Sequence, residues 1–378
     1  MYLIHLKSKN FPTKITVDLN DLDMARGFQQ ALPGQFMLVV NRVKDETQFS
    51  GLQYQQMRGP RRLRSLYVFF WWPWWFWRLK RRQPQEKDFW VWLNEPALLA
   101  IVAVWSKLLP CKILLEFIGS FRHGVERPLY QLARSCNDVW SASLSETARQ
   151  LLLAFDPRYG ARSFVLRTGY DPGSLNQTFQ PERVRSELGL RPDDFVVAYS
   201  GHFETNGPKG VELMIAALDH LPDRKVKMYF IGGYPQEIDA YSALAKAQGV
   251  HERVVFVPWQ RDLKRAMAYA NAADVMAIPT SQANQHNQYS FPVKIWEYLA
   301  LGKPVISSDL PINREVLNTT NARFFDLGDA RDFAKQVQYL HENPQLQGEL
   351  GRNSKQAAVG FTWPERAKKV VDFIGTQS

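Results

Sequence analysis

The stretch Phe195–Gly233 reads FVVAYSGHFETNGPKGVELMIAALDHLPDRKVKMYFIGG and sets the pattern for the second half of the chain. It opens with a β-branched and aromatic run (195–201), passes through a polar loop into an amphipathic segment from Val211 to Leu221, and closes on a second such run (225–233). A strand, a helix and another strand in this order predict a βαβ unit, whose strands are parallel.

The pattern continues on both sides of this unit. Toward the C-terminus it predicts strands over 254–258, 274–280, 304–309 and 322–327, and helices over 236–248, 263–270, 293–301 and 330–342. Toward the N-terminus it predicts strands over 2–8, 36–41, 88–93, 112–117, 138–143 and 164–169, with helices over 22–32 and 96–108. The chain is therefore expected to form two α/β domains, joined by the polar segment 171–194, with ligands bound in the cleft between them.

The positive charge of the chain is concentrated in its first half. Lys and Arg number 47 against 37 Asp and Glu, a formal charge of +10; residues 1–180 hold 24 basic and 14 acidic residues, and the remainder hold 23 of each. Such a surplus points to an anionic partner, which could be nucleic acid, membrane or a phosphorylated substrate. The two cysteines favour a reducing compartment, and the N-terminal residues lack a signal-peptide layout, so we expect a cytoplasmic protein.

An aromatic run, YVFFWWPWWFW, occupies residues 67–77 and is too short to span a bilayer. No acidic residue lies between Glu46 and Glu86. The tryptophans of this run and the basic residues that flank it, which we take as a membrane-binding segment over 58–82, are Trp71, Trp72, Trp74, Trp75 and Trp77 with Arg58, Arg61, Arg62, Arg64, Arg78, Lys80, Arg81 and Arg82. Trp prefers the headgroup boundary and basic side chains are attracted to anionic lipid, so the segment predicts an anionic membrane surface as a partner.

Two other interpretations of the aromatic run stay open. The rings could be core residues whose basic neighbours form a solvated rim. They could also stack on single-stranded nucleic acid, although such sites usually interleave aromatic and basic residues along several strands. We favour the membrane and expect no nucleic-acid partner.

The segment Ser290–Asp309, SFPVKIWEYLALGKPVISSD, carries the clearest chemistry. Pro292 suits the first turn of a helix and Gly302 its C-terminal cap. Lys294 and Glu297 are three residues apart and share one face near the helix N-terminus, where Lys294 could bind a phosphate and Glu297 a ribose diol. An ordinary ion pair between the two side chains is the alternative.

A second candidate is the loop SGHFETNGPKG over 200–210, which follows a predicted strand and opens a helix. Its Lys209 could contact phosphate. The loop lacks the GK[ST] ending of a P-loop, and GxGxxG is absent from the chain, so the general nucleotide-binding motifs are missing. A plain strand-to-helix turn with a solvated lysine is the alternative.

Taken together, the two segments resemble retaining glycosyltransferases of the GT-B fold, family 4. Gly201-His202-Phe203 with Lys209-Gly210 is similar to the family's G-R-L…K-G segment. Leu166–Asp171 looks like its domain-crossing N-G-x-D stretch, and Phe361-Thr-Trp363 like the start of its closing helix. Its S-P-x-K-x-x-E-Y-x-A-x-G-K-P-V variant is matched at Pro292, Lys294, Glu297, Tyr298, Ala300, Gly302, Lys303, Pro304 and Val305.

This resemblance implies an α/β architecture of two Rossmann-like domains that face each other across a cleft. The first (1–175) would bind the acceptor and carry the membrane segment, and the second (176–360) would bind a nucleotide sugar. The residues 361–378 would form a closing helix that packs back on the first domain.

The resemblance also assigns roles to residues of the second domain. Lys209 would contact the donor diphosphate with support from Lys294, and Glu297 would bind the ribose hydroxyls. The loop around Trp259 and Gln260 would bind the base. Gly201, His202 and Ser290 would complete the donor site. Two positions depart from the family pattern: His202 stands where the family has arginine, and Tyr289 stands where it has the first of two glutamates.

The implied reaction is hexosyl transfer (EC 2.4) with retention, from a UDP- or GDP-sugar to a hydroxyl group. No cofactor and no metal ion are expected. In the first domain, Glu116 could bind the acceptor or act as base, and His123 could contact the donor. Alternatively, Glu116 is structural and His123 is a surface loop residue.

We therefore predict a peripheral enzyme at the cytoplasmic face of the cell membrane. It would extend a lipid-linked or lipopolysaccharide-type acceptor in polysaccharide biosynthesis. The alternatives are a glycosyltransferase with a soluble acceptor and a non-catalytic GT-B scaffold that binds membrane or a partner protein.

Overall fold

The structure is a computed structural model that describes residues 1–7, 10–11, 16–43, 46–60, 63–119, 121, 126–136, 139–204, 209–281, 288–289 and 291–377. Contacts within the chain divide it into two compact units. Unit 1 consists of Met1–Gly169 and Thr362–Ser378, and unit 2 is Tyr170–Phe361.

Unit 1 contains, within the described residues, a parallel sheet of seven strands in the order β5-β3-β1-β6-β7-β8-β9, beside a small parallel pair, β2 and β4. The strands are β1 Tyr2–Leu6, β2 Asn10–Phe11, β3 Phe36–Val40, β4 Arg42–Val43, β5 Tyr54–Gln56, β6 Phe89–Leu93, β7 Lys112–Phe117, β8 Val139–Ser143 and β9 Ser163–Val165. Strands β1 and β6 are buried along their whole length, as expected for parallel strands covered on both faces.

The helices that cover this sheet come from both ends of the chain. They are α1 Thr16–Ala31, α2 Arg64–Arg82, α3 Pro96–Trp105, α4 Glu126–Cys136 and α5 Glu146–Phe155, together with a helix at the C-terminus, Trp363–Thr376. The C-terminal helix packs closely against α1, because Gly27 has no side chain: a Cβ there would lie 2.8 Å from Cβ of Ala367.

Unit 2 is built on a parallel sheet that has six strands in the described residues, in the order β12-β11-β10-β13-β14-β15. The strands are β10 Phe195–Ser200, β11 Val226–Gly233, β12 Val254–Pro258, β13 Val275–Ile278, β14 Val305–Ser308 and β15 Ala322–Phe325. The helices are α6 Pro172–Leu175, α7 Pro181–Glu187, α8 Val211–Ala217, α9 Pro235–Ala247, α10 Leu263–Asn271, α11 Lys294–Ala300, α12 Pro311–Arg314, α13 Ala330–His341 and α14 Pro344–Ala357. The C-terminal helix of unit 1, Trp363–Thr376, is α15.

The two parallel sheets with helices confirm the predicted α/β class. In unit 2 every predicted strand is present, with ends that differ by up to two residues. The segment 171–194, predicted as a linker, carries helices α6 and α7 instead, since Pro172 and Pro181 each suit a first helical turn. Strand β5 was not predicted, because its sequence YQQ is short and polar.

Candidate functional site

The strand order of unit 2 reverses between β10 and β13, and the carboxyl ends of these two strands flank the switch point where α/β sheets usually bind ligands. The loop that ends at Lys209-Gly210 lies against the end of β13. Gly210 has a φ of +75°, and a Cβ there would overlap the main-chain carbonyl of Pro279. Glycine is therefore required at this position, and it brings Lys209 to the switch point.

Lys294 is the first residue of α11, and its ammonium lies over the ring of Tyr199, with Nζ 3.9 Å from the ring centroid. Gly201 lies beside it with a φ of +140°, and a Cβ at Gly201 would be 2.5 Å from that nitrogen. The absent side chain thus leaves the space that Lys294 occupies. Lys209 is further out, in an ion pair with Glu204 at 3.5 Å.

The pKa values of Lys294 and Glu297 are both shifted from their ordinary values. Burial lowers the pKa of Lys294 to about 7, and the positive charge of Lys209 acts in the same direction, whereas Glu297 and Glu204 oppose it. Burial also raises the pKa of Glu297 to about 7, against the effect of Lys294. Perturbed groups at a strand switch point are typical of a functional site, because a bound phosphate or hydroxyl would replace the solvation they have lost.

The third part of the site is a row of aromatic rings along the ends of β10, β11 and β12. The rings of His202 and Tyr234 have centroids 5.2 Å apart, and those of Tyr234 and Trp259 are 6.5 Å apart. The side chain of Gln260 donates to the carbonyl of Pro258 at 2.7 Å. Flat, partly exposed rings of this kind suit a nucleobase.

The structure thus brings most of the predicted donor residues to one edge of the unit 2 sheet. Ser290 lies outside the described residues, and Tyr289 forms part of a short helical turn. Sequence reasoning missed Tyr199 and Tyr234, and it named Tyr298 as a motif match without giving it a role. The hydroxyl of Tyr298 accepts from the N–H of Ser200 at 2.9 Å and lies 3.2 Å from its carbonyl, which fixes α11 to the end of β10. No sequence pattern signals the contact of Tyr298 with Ser200, because the two residues are 98 positions apart in the sequence.

In unit 1, Glu116 lies in a buried charged cluster at the carboxyl edge of the sheet. Its carboxylate accepts hydrogen bonds from Arg366 at 2.7 Å and Asn94 at 3.3 Å, and Nζ of Lys7 is 4.0 Å away. The role of Glu116 as acceptor base stays a prediction, and the carboxylate would act from within an ion pair with Arg366. His123 lies outside the described residues.

The aromatic run forms α2, and the helix divides its tryptophans between two environments. Trp72 and Trp75 are buried in the core of unit 1, and Trp71 packs against the same core. This corrects their assignment to the membrane surface: a helix directs residues three and four apart to one face, and here that face covers the sheet. The core interpretation therefore holds for these rings.

The opposite face of α2 is an exposed apolar stripe. We call it the α2 stripe, and its residues are Leu63, Leu66, Phe70, Trp74 and Trp77. The guanidinium groups of Arg78 and Arg81 lie over the rings of Trp74 and Trp77, at 4.9 and 3.8 Å from the centroids. Lys80 is half-buried and Arg82 is exposed, while Arg61, Arg62 and the side chain of Arg64 are outside the described structure.

Among the helices of the described residues, none combines the length and the apolar character that crossing a bilayer requires. In the same part of the chain, no three His, Cys, Asp or Glu side chains are grouped so that they could hold a metal ion.

Comparison with known proteins gives a consistent picture. The family model for glycosyl transferases group 1 matches residues 194–343. The D-inositol 3-phosphate glycosyltransferase of Nocardia farcinica is 27% identical over 245 residues, which cover 62% of this chain and 52% of that protein. The chain spans about half the length of the curated relatives it matches.

Two solved structures share the fold of the whole chain. HepE of Anabaena in complex with UDP has a TM-score of 0.79 at 16% identity, with all of both chains covered. WaaG, a glycosyltransferase involved in lipopolysaccharide biosynthesis, has a TM-score of 0.67 at 15% identity, with 99% of each chain covered. The fold of the whole chain is therefore that of GT-B glycosyltransferases, and residues 194–343 match the family of glycosyl transferases group 1.

Proposed function

We propose that the chain is a retaining glycosyltransferase that moves a sugar from a nucleotide sugar to a hydroxyl group. The observation that carries this proposal is the cluster at the switch point of unit 2, where Lys294, Lys209 and His202 surround the end of β10 and Glu297 lies one turn along α11. Two lysines match the charge of a diphosphate, and a carboxylate one turn deeper is suited to a ribose diol.

In this reaction the difficult step is departure of the nucleoside diphosphate, on which negative charge develops. Cations placed beforehand in a site of low dielectric stabilise that charge without having to reorganise. We propose that Lys294 and Lys209 supply this stabilisation, so that transfer needs no metal ion or other cofactor. Protonated Lys294 would be favoured by the phosphate, since an opposite charge raises the pKa of an ammonium group.

We propose a UDP-sugar as donor. The support is that HepE was crystallised with UDP and with UDP-glucose, and that its fold covers the full length of this chain. A thermal-shift screen with UDP, GDP, ADP and CMP tests the choice, because a ligand that binds only the folded state raises its melting temperature. The largest rise is expected with UDP. A preparation that responds to none of the four would contradict the proposal and favour a non-catalytic scaffold.

Variants of the donor site provide the second test. Lys294→Met and Glu297→Gln are expected to lower transfer from the UDP-sugar by 100-fold or more, since removal of one preorganised group that stabilises developing charge costs about 10²–10³ in rate. Lys246→Met, an exposed lysine on α9, is the matched control and should retain full activity. Equal activity of the Lys294 variant and the control would remove the basis of the assignment.

We further propose that the acceptor is a lipid-linked or lipopolysaccharide-type saccharide at the cytoplasmic face of the membrane. The support is the α2 stripe, in which exposed rings and leucines lie beside arginines, a combination that suits an anionic bilayer surface. WaaG, which shares the fold, is involved in lipopolysaccharide biosynthesis, and this supports the same acceptor class.

Binding to liposomes tests the location. The double variant Trp74→Ser/Trp77→Ser is expected to bind vesicles with 30% anionic lipid at least tenfold more weakly than the wild type. Tyr339→Ser, which removes an exposed ring of unit 2, is the control. If the wild type does not bind such vesicles, a soluble acceptor becomes the better hypothesis.

A further inference from the structure

Tyr199, the penultimate residue of β10, is almost fully buried and touches two parts of the donor site at once. Its ring lies beneath the Lys294 ammonium, with 3.9 Å between Nζ and the ring centroid. Its hydroxyl donates a hydrogen bond to the main-chain carbonyl of His202 at 2.8 Å. One side chain therefore connects the first turn of α11 to the loop that follows β10.

The ring and Gly201 together define where the ammonium can lie. Nζ of Lys294 has the face of Tyr199 on one side, and a side chain at Gly201 would lie 2.5 Å from it on another. The charged groups that act on Lys294 are Lys209, which disfavours its charge, and Glu297 and Glu204, which favour it. An aromatic face attracts a cation without forming an ion pair with it, so the protonated form of Lys294 can still bind an anionic ligand.

The hydroxyl of Tyr199 acts on the other half of the site. It holds the carbonyl of His202 toward the strand, and the loop then continues to Glu204, whose φ of 53° is unusual for a non-glycine residue. A fixed carbonyl fixes the peptide that carries the His202 side chain. The ring of His202 is the first of the aromatic row, and its centroid is 5.2 Å from that of Tyr234.

We propose that Tyr199 is a positioning residue for the diphosphate of the donor. Its ring sets the place of the Lys294 ammonium and its hydroxyl sets the loop at His202, so that both are presented together to a nucleoside diphosphate. This inference rests on the proposed function. It adds Tyr199 to the donor site as a residue that does not itself contact the substrate. Tyr199 acts through Lys294 and His202, which do.

The two roles can be separated by substitution. Tyr199→Phe keeps the ring over Lys294 and removes only the hydrogen bond to His202. Tyr199→Leu removes both. Tyr229→Leu is the matched control, because Tyr229 is an equally buried tyrosine at the middle of the adjacent strand β11.

The experiment is calorimetric titration of each variant with UDP and, separately, with uridine, which has the base and ribose but no phosphate. Tyr199→Leu is expected to bind UDP about 10- to 30-fold more weakly, the effect of losing a desolvated cation–π contact, and to lose much less affinity for uridine, through the displaced His202 ring alone. Tyr199→Phe is expected to weaken UDP binding by about three- to tenfold, as for one lost hydrogen bond. Tyr229→Leu should bind both ligands normally.

The possible outcomes test the positioning role of Tyr199 separately from the proposed UDP donor. Wild-type protein that binds no UDP contradicts the proposed donor. Wild-type protein that binds UDP, with a Tyr199→Leu variant that binds it equally well, overturns the positioning role. Equal losses for UDP and uridine in that variant would show a general packing effect and also overturn it. If Tyr199→Leu does not fold, Tyr199→Phe decides, and unchanged UDP affinity there counts against the proposal.

Discussion

The ammonium group of Lys294 is desolvated by burial, and this lowers the free energy of unfolding. The unfolded chain keeps the proton of this lysine up to its ordinary pKa of 10.5, whereas the folded chain releases it near pH 7. Between these values the unfolded state binds more protons, so the contribution of Lys294 to the free energy of unfolding rises with pH. Below pH 7 the full penalty remains.

Lys294→Met is therefore expected to stabilise unit 2 at pH 6 by on the order of 2 kcal/mol, since a pKa shift reports on stability and the partial exposure of the side chain reduces the effect. The advantage should shrink between pH 7 and 10 as the wild type loses its penalty. Urea denaturation of both proteins at pH 6 and pH 9 measures the difference. An advantage that is the same at both pH values would contradict the explanation.

Gly210 shows how a single missing Cβ places a functional loop. Gly210 and Gly249 have similar φ values, +75° and +70°, but a Cβ at Gly210 would overlap Pro279, whereas Gly249 faces open space. Gly249→Ala is expected to cost about 1 kcal/mol, for the left-handed backbone alone. Gly210→Ala should cost about 3 kcal/mol or more, because the clash with backbone is added. Thermal denaturation compares the two variants, and equal costs would exclude the clash.

At the scale of the element, α2 shows what the sequence could and could not predict. The run of eleven residues from Tyr67 to Trp77 is aromatic or apolar throughout, so its composition does not reveal which side faces the core. The 3.6-residue period of the helix decides which side chains are buried. Val68, Trp72 and Phe76 point toward the core, and the α2 stripe points outward. The core interpretation holds for the inner face, and the membrane-binding role of the exposed face stays a prediction.

Pro73 lies inside α2, where it removes the hydrogen bond that the carbonyl of Phe69 would accept. The indole N–H of Trp105, from α3, donates to that carbonyl at 2.9 Å. A side chain of the neighbouring helix thus compensates for the proline, and the helix continues for two more turns. A contact of this kind depends on tertiary packing, so the sequence alone could not show it.

A double-mutant cycle tests this compensation. Trp105→Phe is expected to cost about 2 kcal/mol in the free energy of unfolding, since it leaves a carbonyl without a donor. In a Pro73→Ala background the cost should fall to below about 1 kcal/mol, because the new N–H at position 73 can bond to Phe69. Additive effects of the two substitutions would show that the indole plays no such role.

At the scale of the whole molecule, Arg366 holds the two segments of unit 1 together. Its guanidinium donates to Glu116 at 2.7 Å and, through Nε, to the carbonyl of Arg167 at 3.0 Å. Loss of one partner of a buried ion pair usually costs about 3–5 kcal/mol, because the other charge stays buried. Arg366→Met should therefore destabilise unit 1, and Arg366→Met with Glu116→Gln should recover much of the loss.

Hydrogen exchange resolved by peptide measures this prediction. Faster exchange is expected in β1, β6 and β7 of the Arg366→Met variant, while the strands of unit 2 keep their wild-type protection. Uniform loss of protection in both units would indicate that they unfold together.

Every predicted strand is present in both units, but in unit 1 the short strands β2, β4 and β5 were not predicted. In unit 2 the strands are short, apolar and separated by amphipathic helices, so local pattern and fold agree. The residues Lys209, Lys294 and Glu297 could be singled out because they belong to local motifs. Tyr199 could not, because its role depends on a residue 95 positions away in the sequence, brought beside it by the sheet.

The division of unit 1 into two segments has a consequence for biosynthesis. When Gly169 leaves the ribosome, the strands of the first sheet are complete, but α15, which packs on α1, has not been made. At about 5–20 residues per second, translation of Tyr170–Phe361 delays it by roughly 10 to 40 s. During that time the surface of α1 around Gly27, which α15 covers in the folded chain, is exposed, so the nascent chain should be a client of chaperones until α15 docks.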